Sequence, residues 1–146
     1  MAQPEQIIER LHSREGKPSG LWDGEPDQIA WTDPDTGYPA LMWRNKFGSW
    51  CGYVAVPPGH PAHELDQGFL DGIEVHGGIT WSGPRRDGAE LWWVGFDCGH
   101  AGDDNWLMAE HEAKYGTCPF NGVYCDVGYV RQEVSRLAQQ LKEMIR

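Results

Sequence analysis

The stretch Leu91 to Asp103, LWWVGFDCGHAGD, decides how the rest of the chain is read. Leu91 to Phe96 predicts a buried strand, because aromatic and β-branched side chains suit a pleated, packed surface and no polar residue interrupts them. The apolar run stops at Asp97, and Cys98, His100 and Asp103 follow among Gly99 and Gly102, whose freedom of φ permits tight turning. A strand that ends in a carboxylate, a thiol, an imidazole and a second carboxylate places chemistry on a rigid support.

Outward from this strand, Tyr38 to Trp43 and Trp50 to Val56 predict a hairpin turning around Asn45 to Gly48. Pro57, Pro58 and Pro61 then stiffen a loop carrying His60 and His63, since proline lacks the ladder donor. Gly72 to Ser82, GIEVHGGITWS, reads as a third strand with Glu74 and His76 on one face and Ile73 and Val75 on the other. Pro84 to Gly88 turns the chain into the Trp-rich strand. Residues 16 to 37, rich in Gly, Pro and Asp, read as irregular structure anchored by Trp22, Ile29 and Trp31. From Asp104 to Thr117 the pattern is ambiguous, with Trp106, Leu107 and Met108 as a candidate helix start.

Two helices complete the expected architecture. Residues 3 to 14 predict a short N-terminal helix with Pro4 in its first turn and an Ile7, Ile8, Leu11 stripe, packed as a lid. Tyr124 to Arg146 predicts a longer one capped by Asp126, with Val127, Val130, Val134, Leu137, Leu141 and Met144 along the face that meets the sheet. The expectation is an α+β fold: one domain over residues 1–146, an antiparallel sheet flanked by an N-terminal and a C-terminal helix.

Twelve Lys and Arg against 22 Asp and Glu give a net charge of −10, which repels a phosphate backbone and argues against an extended nucleic-acid footprint. Arg85 and Arg86 leave room for a small anion locally. No long apolar run suggests a membrane span, and the polar start MAQPEQIIERLH is unlike a signal peptide, so the expected location is the cytoplasm. In that reducing setting Cys51, Cys98, Cys118 and Cys125 read as free, buried thiols, with a metal site of Cys98, Cys118 and Cys125 as the alternative. The eight tryptophans are more than an average domain of this size carries; a core needs some of them and a platform stacking on a flat ligand could use others.

Three segments place ionisable groups beside Gly or Pro: PPGHPAH, IEVHGG and FDCGHAGD. Imidazole and carboxylate together are the ligand mixture of zinc and related divalent metals, and an open coordination position serves hydrolysis. The candidate metal ligands are His60, His76, His100 and Asp103. The candidate catalytic groups are Glu74, His76, Asp97 and His100, which can also shuttle protons without a metal. Trp81 and Trp93 are the candidate stacking wall. His12 and His111 carry no functional expectation.

The runs GYVAVPPGHP, EVHGGITWSG and WWVGFDCGHAGD, with the closing YVRQEVSRLAQQL helix, resemble a family of small uncharacterised bacteriophage and prophage proteins across residues 50 to 141. That resemblance implies a phage-encoded accessory protein acting in the cytoplasm of the infected cell. By analogy with phage proteins that counter host defence, the expected activity is hydrolysis of a small phosphate-containing or nucleotide-like ligand, metal-dependent or His-dependent. The alternative is a non-enzymatic nucleotide sponge, or an acidic inhibitor that binds a host defence protein. Self-association is compatible with either.

Overall fold

The computed structural model describes residues 6–85, 90–100, 102–116 and 122–145. Cys118 and Arg86 lie outside the described residues. The two strands of the expected hairpin form as β3 (Pro39–Arg44) and β4 (Trp50–Val56), and the Trp-rich stretch forms β6 (Trp92–Asp97). With β1 (Ile7–Glu9), β2 (Gln28–Thr32) and β5 (Trp81–Gly83) they make a six-stranded antiparallel sheet in the order β1-β2-β3-β4-β6-β5. A second, two-stranded parallel pair joins β7 (Asp103–Asp104) to β8 (Val123–Tyr124). The helices are α1 (Trp106–Tyr115) and α2 (Val127–Glu143). The α+β class and the flanking C-terminal helix match expectation.

The long helix follows its sequence closely. Asp126 caps α2 by accepting the Tyr129 N–H at 2.9 Å, and the Val130, Val134, Leu137 and Leu141 stripe is fully buried. That stripe lies on the sheet face formed by Ile29, Met42, Val54, Val94 and Phe96. Gly52 on β4 leaves a gap that the Phe96 ring and Val134 fill.

The expected N-terminal helix is corrected: the first helix of the chain is α1, and residues 7 to 9 are a strand pairing with β2. Ile7 and Ile8 are 56% and 61% exposed, so there is no buried stripe to stabilise a helical lid, and adjacent β-branched residues favour extended backbone. What holds the segment is polar. The buried Asp27 carboxylate accepts the N–H groups of Leu11 and His12 at 2.7 Å each and pairs with Arg14 at 2.7 Å. Strand β2 itself lies inside the stretch read as irregular, because Gly, Pro and Asp on both sides mask the alternating Ile29 and Trp31. Of the expected third strand, Gly72 to Ser82, only Trp81 and Ser82 pair, as part of β5. Gly77 and Gly78 adopt positive φ of 70° and 79°, and residues 72 to 80 turn instead. The ambiguous segment after Asp104 is α1, capped by Asn105, whose side chain accepts the Met108 N–H. No helix among the described residues is long and apolar enough to cross a membrane.

Arg44, at the end of β3, is completely buried. Its Nε donates to Asp27 at 2.9 Å, Nη1 to the Gly48 carbonyl and the Tyr124 hydroxyl, and Nη2 to Glu25 and the Pro26 carbonyl. The guanidinium also stacks 4.3 Å from the Trp50 ring centroid. Arg44→Met should lower stability by roughly 3–5 kcal/mol in chemical denaturation, because buried Asp27 would keep only Arg14 as a cation and the Gly48 and Pro26 carbonyls would lose their donor. Asp27 carries an acid-sensitive contribution. Burial pushes its pKa up, but hydrogen bonds from Arg14, His12 and Leu11 and the charge of Arg14 bring it down to about 2 from an ordinary 3.8. The depressed value means that its stabilisation is present above 3.8 and lost as pH falls toward 2. Asp27→Asn should flatten the fall in melting temperature across that window.

Candidate metal centre

Three turns meet where β6 runs out and α2 begins. β6 delivers Cys98 immediately after Asp97, and the Cys98 N–H is held by the Trp50 carbonyl at 2.8 Å. The β7–β8 pairing sets Asp103 opposite Val123 and Asp104 opposite Tyr124, which brings Asp103 beside Cys125 just ahead of the α2 cap. The turn at residues 75 to 78 supplies His76. The result is that one ligand atom each from His76, Cys98 and Cys125 lies within 4.8 Å of the others.

The spacing suits a soft divalent ion. The Cys125 Sγ is 3.7 Å from His76 Nε2 and 3.7 Å from Asp103 Oδ1. Two ligands on a tetrahedral zinc, at ordinary Zn–N and Zn–S bond lengths, stand about 3.6 Å apart. Asp103 Oδ1 also lies 2.7 Å from His76 Nε2, close enough to be a fourth donor or to hold a proton beside the metal. Cys98 and Cys125 are buried, Asp103 nearly so, and His76 half-buried, so the cluster opens to solvent on the imidazole side. His76, Cys98 and Cys125 can hold a metal ion.

The charges around the cluster are arranged for a cation. The Cys98 thiol is pushed well above its ordinary range by its hydrogen bond to Cys125, by burial, and by the negative charge of Cys125 and Asp103. A divalent ion seated between the sulfurs would invert that balance and favour thiolate. Nδ1 of His76 lies 2.8 Å from the Tyr129 hydroxyl, which in turn points at the buried Glu133 carboxylate at 3.5 Å. Arg136 donates to Glu133 at 2.8 Å. Burial, then the Glu133 charge, raises the Tyr129 pKa to about 12, keeping it a neutral hydroxyl in the working range. This is how metal-bound histidines are commonly oriented, with the far ring nitrogen hydrogen-bonded to fix the tautomer.

The expected site residues divide sharply. His76, Asp97, His100 and Asp103 come together. The His100 ring lies 6.3 Å from the His76 ring, its backbone N–H donates to Asp103 at 3.0 Å, and its Nε2 is 3.4 Å from Asp97 Oδ1. That Nε2 lacks a well-aligned hydrogen bond among the described residues. Its ring sits against Gly77, where an added Cβ would meet Nε2 at 2.3 Å, so the sequence HGG is needed as much for space as for positive φ.

His60 is placed elsewhere: Nδ1 accepts the Ala62 N–H at 2.9 Å and Nε2 donates to the Leu141 carbonyl at 2.7 Å, which leaves neither nitrogen a free lone pair. His63 likewise donates to the Glu90 carbonyl. The Glu74 side chain is 86% exposed and its nearest cation is Arg136 at 4.0 Å, while its backbone is bridged to α2 by Gln140. Trp81 and Trp93 belong to the other face of the sheet from Cys98. Cys98 and Cys125 come together as in the alternative metal site of Cys98, Cys118 and Cys125, with His76 as the third donor among the described residues, whereas Tyr129 and Glu133 are not among the expected site residues. A signal for Glu133 exists: it is the one acid on the buried stripe of α2, in register with Val130, Val134 and Leu137.

No family profile, curated protein or solved structure matches the chain.

Cobalt(II) titration should give thiolate-to-metal charge-transfer absorption at one equivalent per chain, and Cys125→Ser should abolish it. Tyr129→Phe should retain the band but weaken metal affinity by roughly 10–100-fold, the usual cost of an outer hydrogen bond to a ligand histidine.

Proposed function

We propose that this chain is a zinc-type metallohydrolase acting on a small phosphate-containing or nucleotide-like ligand. The observation that carries the reading is the His76, Cys98, Cys125 triad with a second imidazole, His100, beside it. Three protein donors with one further position for water or substrate is the pattern of catalytic rather than closed zinc sites. A divalent ion held by His76, Cys98 and Cys125 would supply Lewis acidity toward a phosphoryl oxygen and would lower the pKa of a bound water.

The remaining groups fit defined roles. Asp103, 2.7 Å from His76 Nε2, is placed to receive a proton from the attacking water. His100 is the half-exposed group that protonates the leaving oxygen, with Asp97 behind its Nε2 setting its orientation. A bound divalent ion would also offer an anionic substrate local attraction in a chain of net charge −10. The motif resemblance supplies the setting of this reading, a phage protein disarming a nucleotide signal or defence protein in the host cytoplasm.

The test is elemental analysis of the purified protein, followed by incubation with a panel of cyclic and linear nucleotides and chromatography of the products. About one zinc per chain and turnover of at least one substrate are expected. His100→Ala should lower kcat by roughly 10²–10⁴ while leaving the metal in place. Full metal content with every nucleotide returned intact would overturn the hydrolase. Retention of an intact nucleotide would then favour a sponge, and a stable complex with a host protein an inhibitor.

A further inference from the structure

Helix α2 covers one face of the sheet, and the other face has a character of its own. Along it, strand alternation places Ala30, Leu41, Tyr53, Gly95 and Trp81 in one cross-strand row. The neighbouring rows carry Gln28 with Trp43, and Ala55 with Trp93 and Gly83. Small residues make the floor and aromatic ones the walls. A Cβ on Gly95 would come within 2.3 Å of the Tyr53 ring, so the glycine lets that ring lie close over β6. Trp81 meets Tyr53 edge-on, with centroids 5.8 Å apart at 85°. Gln28, Leu41, Trp43, Tyr53, Trp81 and Arg85 together line an open pocket of about 260 Å³.

Two donors at this face stand without a hydrogen-bond or ion-pair partner among the described residues. Arg85 lies over the Trp93 ring at 5.4 Å and has no carboxylate partner among the described residues, although the chain carries 22 acidic residues. The Trp93 Nε1–H is buried and has no hydrogen bond among the described residues. A buried donor without a partner is costly in a folded protein, by about 1–3 kcal/mol, and such atoms commonly mark where another group belongs. Aromatic walls select a flat ring, and a guanidinium selects a planar or tetrahedral oxyanion. The pocket is slightly smaller than the roughly 300 Å³ at which drug-sized sites begin, which limits the occupant to about one fused ring pair.

We propose that this open sheet face is a binding site for a small planar aromatic anion, its ring between Trp43 and Trp81 and its phosphate or carboxylate on Arg85. The site stands apart from the His76, Cys98 and Cys125 cluster and requires no metal.

Calorimetric titration of the full chain with adenosine 5′-monophosphate, 2-naphthoate, adenosine and inorganic phosphate tests it. At least one of the two ring anions should bind saturably, with adenosine at least tenfold weaker and inorganic phosphate not measurable. Binding of the nucleotide alone assigns phosphate as the anion, and of naphthoate alone carboxylate. Arg85→Gln and Trp81→Ala, each checked for folding by circular dichroism, should weaken binding tenfold or more, whereas His76→Ala should leave it unchanged. Failure of both ring anions to bind, or equal binding to the Arg85 and Trp81 variants, would overturn the site. Binding lost in His76→Ala but kept in Arg85→Gln would place the ligand at the metal cluster, leaving the hydrolase reading intact and this one refuted.

Discussion

The rest of the structure depends on one buried guanidinium. Arg44 donates all five of its N–H groups inside the protein, to Asp27, Gly48, Tyr124, Glu25 and Pro26. A buried cation is tolerable only when its charge is paired and its donors are used, and here both conditions are met by segments far apart in sequence. Asp27 ties it to β2 and the chain start, Gly48 to the hairpin turn, and Tyr124 to the approach of α2. Glu25 extends the network, accepting from the Tyr124 hydroxyl and, through its second oxygen, from the Val127 N–H at the first turn of α2.

That network is what sets the candidate metal centre. Tyr124 fixes β8, β8 fixes Asp103 through the parallel pairing, and Cys125 follows Tyr124 directly. The donor atoms of His76, Cys98 and Cys125 therefore owe their proximity to a polar knot beside them as well as to the apolar core beneath. Burial of the α2 stripe holds the helix on the sheet, at about 1.5–3 kcal/mol for each large apolar side chain. It would tolerate small shifts of the helix along the sheet. Directed bonds to Glu25 and Tyr124 restrict such shifts, and a metal ligand set needs that restriction.

The residues that announced themselves in the sequence were those whose neighbours agreed with them. β3, β4, β6 and α2 have periodicity, caps and turn residues pointing one way, and they form where expected. At the N-terminus the Ile7, Ile8 and Leu11 spacing imitates a helical stripe, while the deciding contacts come from Asp27, which sequence spacing cannot connect to Leu11. Half of the candidate site was legible for a similar reason. His76, Asp97, His100 and Asp103 sit in short Gly-rich segments that read as chemistry by themselves. Cys125 and Tyr129 join them only because a two-residue parallel pair brings the start of α2 alongside, and so short a ladder leaves no period in the sequence. His60 shows the opposite case: a histidine between prolines that serves as a hydrogen-bonding strut for the end of α2.

The sheet is also graded in length from its middle outward. Strands β3, β4 and β6 run six or seven residues, while the two outermost, β1 and β5, have three each. An outer strand is the template on which a foreign chain can add, and a three-residue template offers very few ladder bonds with which to begin. The aromatic open face would be a liability on a sheet with long edges, since stacked copies could zip together along it. Short margins allow the chain to keep tryptophans in contact with water without inviting fibrous growth.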